Sequence, residues 1–207
     1  EQKSHRTEIT LTLAPNESVF IVYPAEEDDK ETSEKERKEK KDSVKEPSET
    51  GLEATEYTVT FTANGKTIQR QELFDWSKEE DEQIRYYSGT AVYKTFRWKS
   101  KVKEGQQVYL NLGKVCDLAT VRVNGIDCGT IWTAPYRADI TAALKKGVNE
   151  LEIEVTNTWA NALKGADEGK APFDGIWTNA KYRRAENTLL PAGLLGPLNF
   201  EVANKNK

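Results

Sequence analysis

The sequence predicts an all-β domain, a β-sandwich or jelly roll. Three observations carry this prediction. Short segments with alternating apolar and polar residues follow one another from Gly51 to the C-terminal end. Asn-Gly pairs at 64–65 and 124–125 stand between such segments, a strong hairpin signal. Hardly any stretch carries the helical period.

The segments come in this order. Residues 9–24, ITLTLAPNESVFIVYP, read as two strands around Pro15-Asn16. Two strands do not make a stable unit, so residues 1–24 are expected to be the remnant of a preceding β domain. Residues 25–50 are almost entirely charged, with Val44 the one apolar residue larger than alanine. They cannot bury enough surface to offset their ordering entropy and read as a solvated linker. The sandwich itself is expected over 51–204.

Within it, EYTVTFTANGKTIQRQELF is a hairpin around Asn64-Gly65. In DWSKEEDEQIRYY alternation lapses; Trp76 is expected to cover one end of the sandwich, and Tyr86 and Tyr87 to pack at an edge. SGTAVYKTFRW places Val92, Phe96 and Trp98 on one face and Tyr93, Thr95 and Arg97 on the other, with Trp98 in the core. QQVYLNLG is the next strand. LATVRVNGIDCGTIW is a second hairpin, with Val123 opposite Ile126 and Val121 opposite Cys128. NELEIEVTNTW turns Leu151, Ile153 and Val155 inward and Glu152, Glu154 and Thr156 outward. LNFEVA is the last strand. One short helix is expected in DITAALKKG, capped by Asp139 or Thr141 and ended by Gly147.

Composition narrows the function. Net charge is -4 and no basic stripe occurs, which argues against nucleic acid. No run approaches the roughly 20 apolar residues of a membrane-spanning helix. The chain opens Glu1-Gln2-Lys3 without methionine, as a processed protein or a cut piece would, so its lack of a targeting segment says nothing about compartment. The single histidine, His5, lies in a polar N-terminal stretch, so neither a Ser/His/Asp triad nor a multi-His metal site is expected. Cys116 and Cys128 fit neither a disulfide scaffold nor a zinc cluster. The hairpin register does not bring them together, and two small buried thiols are expected.

Three stretches, IRYYSGTAVYKTFRW, LNLGKVCDLATVRVNGIDCGTIWTAPYRADITAALKKGVNELEIEVTN and LLPAGLLGPLNF, follow one another. Together they resemble the galactose-binding-like β-sandwich of glycoside hydrolase family 2. More closely, they resemble the C-terminal sandwich of family 106 α-L-rhamnosidases. The resemblance covers roughly residues 52–203. It implies a galactose-binding-like fold, a bacterial source and a periplasmic or extracellular location. In the resembling enzymes the catalytic carboxylates sit on a large upstream barrel, for which this chain has no room. A glycosidase needs two carboxyl groups about 5–10 Å apart around the sugar; Glu152, Glu154, Asp167, Glu168 and Asp174 show no such spacing signature, and no catalytic residue is assigned. Such sandwiches commonly hold a structural calcium ion, but no Asp/Asn-rich loop here has ligand spacing, so no cofactor or ligand is assigned. Relatives commonly read W.NRL.GD after the long strand, whereas Ala162 follows Asn161 here.

The long connection from Asn157 to Ala192 is the candidate site. Connections of this length are functional or disordered, and this one is rich in large residues. Trp159, Trp177 and Tyr182 could stack on a sugar ring, while Asn157, Asn161, Asp174, Asn179 and Arg183 could bond its hydroxyls. The same residues suit packing against a catalytic domain or against the sandwich itself. Trp132, Pro135, Tyr136 and Arg137 are read as structural, with Tyr136 packing and Asp139 capping. The expected function is a non-catalytic accessory or carbohydrate-binding domain of a rhamnosidase-like glycoside hydrolase, with a glycan or the catalytic domain as partner. An independent carbohydrate-binding module and a structural, protein-binding sandwich are the alternatives.

Overall fold

The computed structural model describes residues 19, 48–51, 56–100, 106–179 and 188–204, with backbone alone for 48–51, 95–100 and 204. Of the strand pair expected in residues 1–24 and the charged linker at 25–50, only Val19 and residues 48–50 are described. Trp98, expected in the core, lies outside the described side chains.

The architecture is the expected β-sandwich. One sheet holds β1 (Ser48–Gly51), β12 (Asn199–Asn204), β5 (Gln106–Asn111) and β9 (Arg137–Asp139), in that order. The other runs β3 (Thr67–Arg70), β2 (Tyr57–Phe61), β4 (Thr90–Ser100), β10 (Gly147–Thr156), β7 (Leu118–Val123), β8 (Ile126–Ile131). A small ribbon pairs β6 (Lys114–Cys116) with β11 (Gly193–Gly196). One continuous core joins the sheets: Tyr57, Val59, Phe61, Tyr93, Val121, Ile153 and Val155 from the larger, and Val108, Leu110, Ala138 and Phe200 from the smaller.

The clearest strand behaves as its alternation requires: Leu151, Ile153 and Val155 are buried, while Glu152 and Glu154 face outward. There they pair with Lys94 (2.9 Å to Glu152) and Arg122 (2.5 Å to Glu154). The 124–125 turn has φ +53° at Asn124 and +80° at Gly125, the left-handed pair that a two-residue hairpin demands.

Two extra residues change the expected faces. On β4, Lys94 and Thr95 together oppose Glu152, because Leu151 pairs with Phe96 and Ile153 with Tyr93. This β-bulge breaks the simple alternation: Tyr93 is fully buried and Val92 only half-buried, the reverse of the expected faces. On β8, Cys128 and Gly129 together oppose Val121, so the pairing of Val121 with Cys128 is not a simple one. Both cysteines are free thiols; Cys116 is buried and Cys128 half-buried.

The expected helix at DITAALKKG is only one 3₁₀ turn, Thr141–Ala143. Asp139 ends β9, and its Oδ1 accepts from Thr141 N at 2.9 Å, so the expected cap exists without the helix. The buried Asn149 side chain takes the backbone groups that would extend the turn. Its Oδ1 accepts from Lys145 N (2.8 Å), and its Nδ2 donates to Lys145 O (3.1 Å) and Gly147 O (3.0 Å). The helices lie elsewhere: the single turn α1 (Glu82–Arg85) and α2 (Ala160–Asp167). In α2, a β-carbon on Gly165 would lie 2.8 Å from Tyr86 Cβ and 2.9 Å from Lys170 O, so only glycine lets the helix lie this close.

An aromatic cluster closes the core beneath this connection. Trp76 belongs to it, fully buried and edge-on to Phe61 (5.2 Å) and Tyr87 (5.8 Å). Its Nε1 donates to Tyr93 Oη at 2.8 Å.

Candidate functional site

The connection after β10 is held from inside by its own amides. Asn157, buried, accepts from Gly89 N (2.8 Å) and donates to Tyr87 O (3.0 Å). Asn161, 2% exposed, donates to Leu190 O and accepts from Leu190 N, both at 2.8 Å, as a paired strand residue would. Ala162 is fully buried and its N–H donates to Ser88 Oγ at 3.0 Å. The far limb is tied down by Asp75, whose Oδ1 accepts from Ala192 N at 3.0 Å. Buried polar groups need such partners, so Asn157 and Asn161 spend their amides on the fold.

The other expected site residues separate from these two. Trp159 opens α2 and is 54% exposed, meeting Phe173 edge-on at 6.1 Å. Trp177 is 80% exposed. Asp174 and Asn179 are exposed. Tyr182 and Arg183 lie outside the described residues. Beside them, Glu168 accepts from Tyr86 Oη at 2.7 Å and pairs with Lys164. The Lys164 ammonium and the Tyr86 hydroxyl hold its carboxyl below the usual range, the wrong direction for a proton donor.

Register places a third tryptophan at the same end. Val155 pairs with Ala119 and Ala119 with Ile131, so Thr156 and Trp132 each lie one residue beyond one row of the larger sheet. Trp132 is 69% exposed. Tyr136 packs against the core as expected. Trp132, however, borders an open cleft of about 450 Å³ shared with Tyr109, Thr130, Pro135, Arg137 and Asp139. Sequence reasoning passed over this cleft. Its one sequence signal is a tryptophan just past an edge strand, β8, that carries exposed residues along its length.

Among the described residues no group of three or more His, Cys, Asp or Glu side chains comes together that could hold a metal ion. No helix among them is long and apolar enough to cross a membrane.

The family model described as "Glycosyl hydrolase 2 galactose-binding domain-like" matches residues 71–188, more than half of the chain. The chain belongs to this family. A relative from Formosa agariphila, a "Putative beta-glucuronidase", is 38% identical over 70% of this chain and 15% of its own length. The rhamnosidase from Novosphingobium sp. PP1Y matches in structure with a TM-score of 0.66 and 38% identity, over 77% of this chain and 16% of its own. The beta-D-glucuronidase of Dictyoglomus thermophilum, at 17% identity and a TM-score of 0.53 over 80% of this chain and 29% of its own, shares the fold. The galactose-binding-like domain thus spans about a sixth of the first two relatives' length.

Proposed function

We propose that this galactose-binding-like sandwich is a non-catalytic part of a glycoside hydrolase and docks the connection after β10, with Trp159 and Trp177, on the catalytic domain. One observation carries the reading: the connection after β10 turns the amides of Asn157 and Asn161 inward and leaves Trp159 and Trp177 outside. A loop of that build sets two exposed tryptophans on a connection anchored from inside, which suits a partner surface. The coverage of 15–16% of the relatives' length supports a larger parent. A rhamnosidase-like parent is the reading that the likeness to the Novosphingobium rhamnosidase supports.

The test uses the full-length parent and this chain side by side, each with Trp159→Ala and Trp177→Ala combined. Substitutions at exposed positions shift stability by only about 0.5 kcal/mol, so the isolated chain is expected to melt as before. In the parent, the sandwich is expected to unfold separately and to become open to limited proteolysis at its boundary. An unaltered parent, with sugar binding by the isolated chain lost in the double variant, would make the domain an independent carbohydrate-binding module instead.

A further inference from the structure

The Trp132 cleft is separate from the connection after β10, and its walls point to a ligand. Its floor is the outer face of the smaller sheet. Tyr109 pairs with Asp139 across β5 and β9 and with Glu201 across β5 and β12. Residues directly opposite share a face, so these three stand on the side away from the core. The residues between them, Leu110, Ala138 and Phe200, are buried. The loop after β8 forms the wall, with Trp132 at its rim.

The floor is held in place. Arg137 lies over the Tyr109 ring at 3.6 Å, and its Nε is 2.9 Å from Glu201 Oε2. Glu201 Oε1 in turn accepts from Asn111 Nδ2 at 2.9 Å. Such a chain fixes both the guanidinium and the ring beneath it. Polar capacity is left over. Of the Asp139 carboxylate, Oδ1 accepts from Thr141 N, while Oδ2 has no partner among the described residues. The Trp132 indole N–H and the Arg137 Nη groups likewise have none there. The cleft therefore combines an exposed aromatic plate with unspent donors and an acceptor, at a volume suited to one or two sugar rings.

We propose that this cleft binds an uncharged pyranoside, its apolar face stacked on Trp132 and its hydroxyls bonded to Arg137 and Asp139. The charge balance sets the class. Glu201 already neutralises Arg137, and Asp139 adds a second carboxylate. A uronic acid carboxylate would meet net repulsion there. The site lies wholly within this chain and does not depend on the docking reading.

The experiment titrates the full 207-residue chain with the methyl pyranosides of galactose, glucose and rhamnose, and with glucuronic acid. Calorimetry and the Trp132 indole N–H resonance are the readouts. The expected result is saturation by at least one methyl pyranoside, at millimolar concentration, with the Trp132 resonance moving. Glucuronic acid should bind about tenfold more weakly. Trp132→Ala should abolish binding and Trp132→Phe should retain part of it, while Asp139→Asn should narrow the preference against the uronic acid. No movement of the Trp132 resonance at tens of millimolar pyranoside overturns the proposal. So does binding that survives Trp132→Ala, or that disappears with Trp177→Ala instead. The docking experiment on the parent is read independently of all these outcomes.

Discussion

At the scale of single residues, Tyr93 shows how a buried hydroxyl joins distant segments. Its Oη accepts from Trp76 Nε1 at 2.8 Å and from Leu194 N at 3.1 Å, with the ring fully buried. Tyr93→Phe leaves two buried donors without an acceptor, and each such loss costs about 1–3 kcal/mol. Urea unfolding of Tyr93→Phe is expected to show a stability loss of about 2–4 kcal/mol with an unchanged m-value. Residue type had suggested none of this, because Tyr93 falls on the outer face in a simple alternation. Asn157 and Asn161 carry the same lesson for the candidate site. An asparagine near a tryptophan fits a sugar contact and a backbone staple equally well, and only burial separates them. Trp159 and Trp177, by contrast, are exposed on that connection.

At the scale of elements, the legible parts were those whose signal is local. The left-handed pair Asn124-Gly125 fixed one hairpin, and strict alternation fixed the long strand β10. The bulges on β4 and β8 were hidden, because one inserted residue leaves composition unchanged and reverses every face beyond it. The expected helix at DITAALKKG failed for a reason four residues away, in the Asn149 amide that bonds Lys145 N and O. Asn124 joins the same knot, donating to Asn149 Oδ1 at 2.8 Å and to Ala143 O at 2.8 Å. Asn149→Ala is expected to cost about 2–4 kcal/mol. Hydrogen exchange should then quicken at Lys145 and Leu144 while the β7–β10 amides stay protected. An unchanged exchange pattern would show that the 3₁₀ turn holds itself.

At the scale of the whole molecule, titration follows from which groups the fold buries. Tyr57 and Tyr93 are raised above the ordinary tyrosine value, mainly by burial away from water. A raised tyrosine keeps its proton in the folded state after the unfolded chain has released it. Its stabilisation is therefore complete below about pH 10 and declines as pH rises further. Asp81, held low by Lys66, and Glu168, held low by Lys164 and Tyr86, act at the other end. Their smaller share is present above about pH 4 and fades as pH falls. The described residues contain no histidine to titrate between. Stability measured by urea unfolding is expected to be level from about pH 5 to 9 and to fall above about pH 10, with tyrosinate absorbance appearing together with unfolding. Tyrosinate that forms fully while the near-ultraviolet dichroism stays native would contradict this account.

The pairing of Ser48 with Val202 and of Gly51 with Asn199 has a mechanical side. The chain comes into β1 and leaves β12 at one corner of the smaller sheet. A pull that separates these two points loads the cross-strand hydrogen bonds one after another, as in a zipper, and never all at once in shear. The β1–β12 seam is thus the compliant joint of the molecule: it opens at low force, while the bonds of the six-stranded sheet lie outside that line of load.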